Sequence, residues 1–208
     1  MKTIRRLAIL ALLALGFSSC VTAQGEVQAG RKDLLYGDPN AAVVRFQNAA
    51  ATSPNALYFS TMPEGVWTYV GRAYYQSGRL PEARQALERA VARSNDDSLA
   101  RLYLGLTLVR AGDRPGGLKN IESGLTGIHD WLDYLEYRLP YGIGRFWDPR
   151  KEIRGEIRTQ LAMIGPNVDW PRLIAGGEWV GRQMEEEIDR ARWDEREEYR
   201  RDSDNTKP

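Results

Sequence analysis

The chain has 208 residues, of which 42% are apolar, 10% are aromatic and 27% are charged, and its formal net charge is +1. This length allows one domain with a sizeable core or a short array of repeats, and the aromatic content argues against a disordered chain. The near-neutral charge argues against nucleic acid as a general partner.

Residues 1–19 have the organisation of a secretory signal peptide. A basic start precedes an apolar run over residues 7–17, and small residues follow that run. The run is too short to span a bilayer as a finished helix, and no later stretch is apolar enough to do so. We therefore expect a chain that is exported from the cytoplasm.

The only cysteine, Cys20, lies at the end of this segment, within the sequence FSSC. FSSC resembles the lipobox of bacterial lipoproteins, in which the cysteine is lipidated and becomes the first residue. Phe17 departs from that pattern, which usually has leucine there. The resemblance implies a lipid anchor at Cys20 and a periplasmic location at an envelope membrane. Cleavage after Ala23 by ordinary signal peptidase is the alternative, and it would discard Cys20.

Residues 66–91 predict two antiparallel helices. Apolar and small residues recur at spacings of three and four, which places them on one face of each helix. Ser77-Gly78 predicts a helix end, and Leu80-Pro81 predicts a helix start. Small residues on the facing sides would allow a close helix approach. The residues that we expect to pack in this hairpin are Trp67, Gly71, Tyr74, Gly78, Ala83, Leu87 and Ala90.

This hairpin resembles the tetratricopeptide repeat, a unit of 34 residues with the pattern W-x2-L-G-x2-Y…A-x3-F…P. Asn95 replaces the closing proline. The residues that match are Trp67, Val70, Gly71, Tyr74, Ala83 and Leu87. A step of 34 residues forward reaches a third repeat, in which Arg101 replaces the tryptophan. Its matching residues are Leu104, Gly105, Leu108, Gly112 and Ile121.

A first repeat is reached only by skipping residues 57–63. It matches in its second half, at Ala42, Phe46, Ala49 and Pro54, whereas Asp33 stands where the aromatic residue belongs. The resemblance implies an all-α fold, a short helical solenoid of about three repeats at residues 23–56, 64–97 and 98–131. The whole array is expected to span residues 20–131.

Residues 132–201 predict C-terminal helices that cap this array. A short helix over 128–139 precedes a turn-rich segment, and a second helix is expected to start at Asp148-Pro149 and reach Ile164. A last helix is expected to start at residue 169 or 170 and to reach about residue 201, with an almost wholly charged end. Its apolar stripe consists of Leu173, Val180, Met184, Ile188 and Ala191. Residues 202–208 predict a disordered tail.

An aromatic cluster follows the third repeat and has two interpretations. It could close the open end of the array, which needs a cap for its last apolar face. It could instead form a flat platform for a ligand. The cluster consists of Trp131, Tyr134, Tyr137, Tyr141, Phe146 and Trp147.

The sequence gives no pattern for catalysis. The only histidine, His129, lies beside Asp130 at a predicted helix start, and no zinc, phosphate-loop or dinucleotide motif is present. We therefore predict no catalytic residues, no metal and no cofactor. A hydrolase that uses carboxylates within residues 129–148 remains as an alternative.

In the tetratricopeptide family the first helix of each repeat lines a groove that binds the partner. The resemblance therefore implies a polar partner-binding surface formed by Thr68, Arg72, Tyr75 and Gln76. The third repeat would present an apolar strip formed by Leu99, Leu102, Leu106 and Val109. Such a strip is expected to be covered, either by the C-terminal half of the chain or by a partner helix.

Together these resemblances imply a non-catalytic adaptor for protein–protein interaction at the bacterial cell envelope. Its partner would be another envelope protein or a peptide, and the lipid anchor would attach it to a membrane. A structural homo-oligomer assembled through the charged last helix is a further alternative, and the oligomeric state stays open. Because repeat folds support many functions, the adaptor role rests partly on analogy.

Overall fold

The computed structural model describes residues 23–58, 64–138 and 143–205. The predicted signal peptide and Cys20 lie outside these residues. The described chain is helical apart from turns and one isolated antiparallel bridge between Leu57 and Gly65, which confirms the all-α fold class. Contacts divide the chain into two compact units, residues 1–100 and residues 101–208. No helix in the described part is long and apolar enough to cross a membrane.

Eight α-helices and one 3-10 helix make up the described fold. The first helix, α1, covers residues 23–36. The others are α2 Pro39–Thr52, α3 Val66–Gln76, α4 Leu80–Arg93, α5 Ser98–Arg110, α6 Arg114–Arg138, η1 Ile143–Phe146, α7 Glu152–Ala162 and α8 Trp170–Asn205.

One helix crossing recurs in each of the three hairpins. A Cβ on Gly30 of α1 would lie 2.7 Å from the Phe46 ring of α2, and a Cβ on Gly71 of α3 would overlap the Leu87 side chain of α4. In the second unit, a Cβ on Gly105 of α5 would lie 2.5 Å from the Ile121 backbone nitrogen of α6. Gly105 follows Gly71 by one repeat length. The missing side chain at this position therefore sets how closely each pair of helices packs.

Two of the hairpin turns depend on glycine. Gly78 has φ +76° and Gly112 has φ +95°, a left-handed conformation that residues with a side chain rarely adopt. After each glycine the next N–H returns to the preceding helix: Arg79 donates to the Tyr74 carbonyl at 2.9 Å, and Asp113 donates to the Leu108 carbonyl at 2.9 Å. These bonds satisfy carbonyls that the helix end would otherwise leave open.

The predicted helix break near residue 128 is wrong, because α6 runs without interruption from Arg114 to Arg138. Its buried face continues at spacings of three and four through the expected break, so the same packing side serves the whole helix. The predicted boundary at residue 131 therefore falls inside a helix. The buried residues of this face are Ile121, Leu125, Ile128, Leu132 and Leu135.

Within the second unit, α8 packs directly on α5. A Cβ on Gly177 would lie 3.1 Å from Leu106 and 3.4 Å from Leu102, and one on Gly181 would lie 2.5 Å from the Tyr103 hydroxyl. Leu102 and Leu106 are fully buried. This part of the expected apolar strip is thus covered by the chain's own last helix. The whole predicted stripe of α8 is buried, from Leu173 through Val180, Met184 and Ile188 to Ala191.

Two helix ends differ from the prediction. Helix α7 begins at Glu152 instead of Asp148, because Asp148 and Lys151 both have positive φ, at 47° and 57°. Helix α8 continues to Asn205, so residues 202–205 of the predicted disordered tail are helical. Residues 206–208 of that tail lie outside the described residues.

Candidate partner-binding site

The predicted groove surface on α3 lies largely inside the first unit. Thr68, Arg72 and Tyr75 expose 0%, 1% and 2% of their surface, and only Gln76 is exposed. The expectation that all four side chains face a partner is therefore wrong for three of them. Two acidic side chains, Glu64 and Asp97, are buried in the same unit and lie against Arg72 and Thr68 of this face of α3.

Asp97 is the centre of that buried polar network. Its carboxylate accepts hydrogen bonds from the Thr68 hydroxyl at 2.5 Å, the Ala100 N–H at 2.8 Å and the Gly65 N–H at 3.4 Å. Burial raises the pKa of Asp97, and these hydrogen bonds oppose the rise. Arg72 lies 3.7 Å from the Glu64 carboxylate. The polar residues of α3 therefore stabilise the fold instead of forming an open surface.

An open cleft lies elsewhere in the first unit, bounded by α2, α3 and α4. Its volume is about 610 Å³, within the usual range of ligand sites. Ala50, Val70 and Ala86 are buried and form an apolar floor, whereas Gln47 and Gln85 are exposed at the rim. An apolar floor with a few polar groups around it is typical of a binding site.

The two aromatic residues of the repeat signature both line this cleft. Trp67 donates its indole N–H to the Pro54 carbonyl at 3.1 Å, and the Arg89 guanidinium lies 3.7 Å from the Trp67 ring centre. Gln47 donates to the Tyr74 hydroxyl at 2.5 Å. Trp67 and Tyr74, which were predicted to pack inside the hairpin, therefore also form part of the cleft wall.

Three residues that line the cleft were not predicted from the sequence: Gln47, Gln85 and Arg89. They lie on α2 and α4, the second helices of their hairpins, whereas the resemblance implies a partner-binding surface on the first helices. Gln85 and Arg89 are four residues apart and both exposed, so they share one face of α4. That spacing was the available signal, and it is a weak one because exposed polar pairs are common on helices.

The carboxylates of residues 129–148 form an ionic cluster in the second unit. The Arg154 guanidinium donates to Asp148 at 3.0 Å and also to Glu136, and Lys151 Nζ lies 2.9 Å from Glu136. Hydrogen bonds from Lys151 and Arg154 lower the pKa of Glu136. His129 Nδ1 lies 3.3 Å from Asp133. A carboxylate with a lowered pKa is a poor proton donor at neutral pH, so Glu136 does not suit the role of a general acid.

The predicted aromatic cluster divides into two parts. Trp131 and Trp147 pack edge to face with ring centres 4.8 Å apart, and Trp147 is buried. Tyr134 and Tyr137 are exposed on α6. Tyr141 lies outside the described residues. Trp147 is therefore part of the core of the second unit, with the half-buried Trp131 packed against it, and the exposed tyrosines do not share this packing.

A buried carboxylate on α8 gives the second unit a testable pH dependence. Burial raises the pKa of Glu187, although its carboxylate accepts from the Asp148 N–H at 2.8 Å and from Arg190 at 2.7 Å. Because the pKa is higher in the folded state, stability is complete below the unfolded value and is lost as the pH rises through the folded value. Glu187→Gln should therefore gain stability relative to the wild type as the pH rises from about 4, near the ordinary pKa of a glutamate, towards neutral pH.

This difference is measured by urea unfolding of both proteins across that range. Glu122→Gln, at an exposed carboxylate of α6, is the matched control, because it makes the same substitution without removing a buried charge. A Glu187→Gln difference that stays constant or falls with rising pH would contradict the burial argument.

Helical hairpins that cross at a recurring glycine define a helical-repeat protein. A sequence model of the tetratricopeptide repeat matches residues 34–106, about a third of the chain. Over these residues the chain is similar to the tetratricopeptide repeat. No curated protein and no solved structure matches the chain significantly. Within the described residues, no group of three or more metal-ligating side chains could hold a metal ion.

Proposed function

We propose that this protein is a non-catalytic adaptor of the bacterial cell envelope, which holds a segment of another envelope protein in the cleft between α2, α3 and α4. The observation that carries the proposal is the cleft itself: it is open and built from repeat residues, whereas Thr68, Arg72 and Tyr75 are buried. Binding in a cleft of this size would leave the polar network around Asp97 undisturbed.

Membrane attachment through a lipid on Cys20 is the second part of the proposal. Ala23 already belongs to α1 and is 2% exposed. Cleavage after Ala23 would remove this buried residue and place a positively charged amino group at the helix start, where the helix dipole disfavours it. Cleavage before Cys20 keeps Ala23 in the chain. The burial of Ala23 therefore supports lipoprotein processing, and a lipid on Cys20 would hold the first helix close to the membrane.

The absence of catalysis is the third part. Asp148 and Glu136 form ion pairs with Arg154, and Lys151 forms a second ion pair with Glu136. Ion pairs of this kind are common structural elements. The ionic cluster is thus better explained as a support for the packing of the second unit than as a pair of hydrolytic carboxylates.

The proposal is tested in living bacteria with a photoreactive amino acid at Gln85, on the rim of the cleft. We expect a cross-link to a different envelope protein, and we expect the same substitution at Arg84 to give none, because Arg84 does not line the cleft. Cys20→Ala should abolish labelling by a palmitate analogue and release the chain from the membrane fraction. A cross-link only to a second copy of the chain would contradict the adaptor, and an unmodified N-terminus at Gln24 would contradict the anchor.

A further inference from the structure

We infer that the cleft binds an acidic peptide segment, with a carboxylate of the peptide paired to Arg89 and a small apolar side chain on the floor beside Trp67. This inference rests on the proposed function, since it names the chemistry of the partner in that same cleft.

The charge of the cleft favours an anionic ligand. Glu82 and Arg89 are its two charged lining residues. Glu82 is already neutralised by Arg79, which donates to it at 3.0 Å and 2.8 Å. Among the described residues, Arg89 forms no ion pair. Its positive charge is therefore the one in the cleft that a bound partner would balance.

Arg89 is also held in place for such a pairing. Its guanidinium lies over the Trp67 ring, and the hydrogen bond from Trp67 to the Pro54 carbonyl fixes that ring. A stacked guanidinium keeps its N–H groups at the edge of its plane, where a carboxylate can accept two of them. Because the side chain is already ordered, less conformational entropy is lost when the carboxylate binds.

The rest of the cleft suits a peptide. Gln85 forms no side-chain hydrogen bond to any residue that the structure describes, and its amide can both donate to and accept from a peptide backbone. On the opposite wall, Gln47 is fixed by its bond to Tyr74. Between them, the floor formed by Ala50, Val70 and Ala86 offers apolar contact to one small side chain.

The inference is tested on the full chain, purified in detergent, by fluorescence anisotropy with labelled peptides of alternating glutamate and alanine. Two matched peptides carry lysine or glutamine in place of glutamate. We expect the glutamate peptide to bind most tightly and to bind more weakly as salt is added. Arg89→Glu should weaken its binding by about tenfold or more, as expected for loss of a charge-assisted hydrogen bond.

The control is Arg84→Glu, the same charge reversal on the same helix, at an exposed residue outside the cleft. Ala51→Phe, at an exposed lining residue of α2, should block the floor and weaken binding of the glutamate peptide without reversing a charge. Equal losses in Arg89→Glu and Arg84→Glu would overturn the inference, as would preferential binding of the lysine peptide. No binding of the glutamate peptide, together with a partner cross-link at Gln85, would refute the acidic ligand and leave the adaptor standing.

Discussion

Replacing Arg154 with alanine is expected to lower the free energy of unfolding of the second unit by about 3–5 kcal/mol. The side chain of Arg154 is 4% exposed and that of Asp148 is 3% exposed, so the alanine variant would leave a buried carboxylate without its cation. Burial lowers the pKa of Arg154, but its hydrogen bonds to Asp148 and Glu136 outweigh this and raise it overall. The network therefore favours the charged arginine.

The measurement is urea unfolding followed by tryptophan fluorescence, because Trp131 and Trp147 lie in the same unit. Arg150→Ala, at a side chain that is 74% exposed, is the control and should change stability by less than about 1 kcal/mol. Arg154→Lys should lose an amount of stability between those of the two alanine variants, since lysine keeps the charge but lacks the planar guanidinium that donates several hydrogen bonds at once. Similar losses of unfolding free energy in Arg154→Ala and Arg150→Ala would show that the ionic cluster contributes little to stability.

Gly105→Ala is expected to destabilise the protein by about 2–3 kcal/mol, even though alanine is the better helix former. The added Cβ would lie 2.5 Å from the Ile121 nitrogen and 2.7 Å from the Gly117 carbonyl oxygen, both of which are backbone atoms of α6. Backbone cannot move aside without shifting the whole helix. Gly71→Ala should be milder, because the obstructing atoms belong to the Leu87 side chain and not to the backbone of α4.

Thermal unfolding of the two variants would compare these crossings directly. Gly155→Ala in α7 is the matched control: nothing lies within 4 Å of its added Cβ, so it should be neutral or stabilising by up to about 1 kcal/mol. A Gly105→Ala protein as stable as Gly155→Ala would mean that α5 and α6 leave room for a side chain at Gly105, which contradicts their close packing.

The repeat hairpins could be predicted from the sequence because their constraints are local and periodic. A glycine at one repeat position and a turn glycine seven residues later are both visible in the chain, at Gly71 and Gly78 and again at Gly105 and Gly112. The continuous α6 was harder to predict because His129 and Asp130 resemble a helix start, whereas the packing of its buried face decides the outcome.

The candidate site was less predictable, because it depends on pairs that are distant in sequence. Thr68 and Arg72 have the polarity of surface residues, and only the position of Asp97, 29 residues after Thr68, explains the burial of Thr68. Arg154 and Glu136, separated by 18 residues, are a similar case. A polar side chain carries no sign in the sequence of whether its partner is water or a buried carboxylate.

The position of Asp97 also bears on how the repeats open. One carboxylate holds the first turn of α5 through the Ala100 N–H and the start of α3 through Thr68 and the Gly65 N–H. In a repeat array, each repeat takes much of its stability from the neighbouring repeat, and local opening can begin wherever the contact between repeats is weak. Because α3 and α5 share this anchor, fraying at one helix start removes hydrogen bonds from the other. Amide hydrogens at the two starts should therefore exchange with solvent as one cooperative segment.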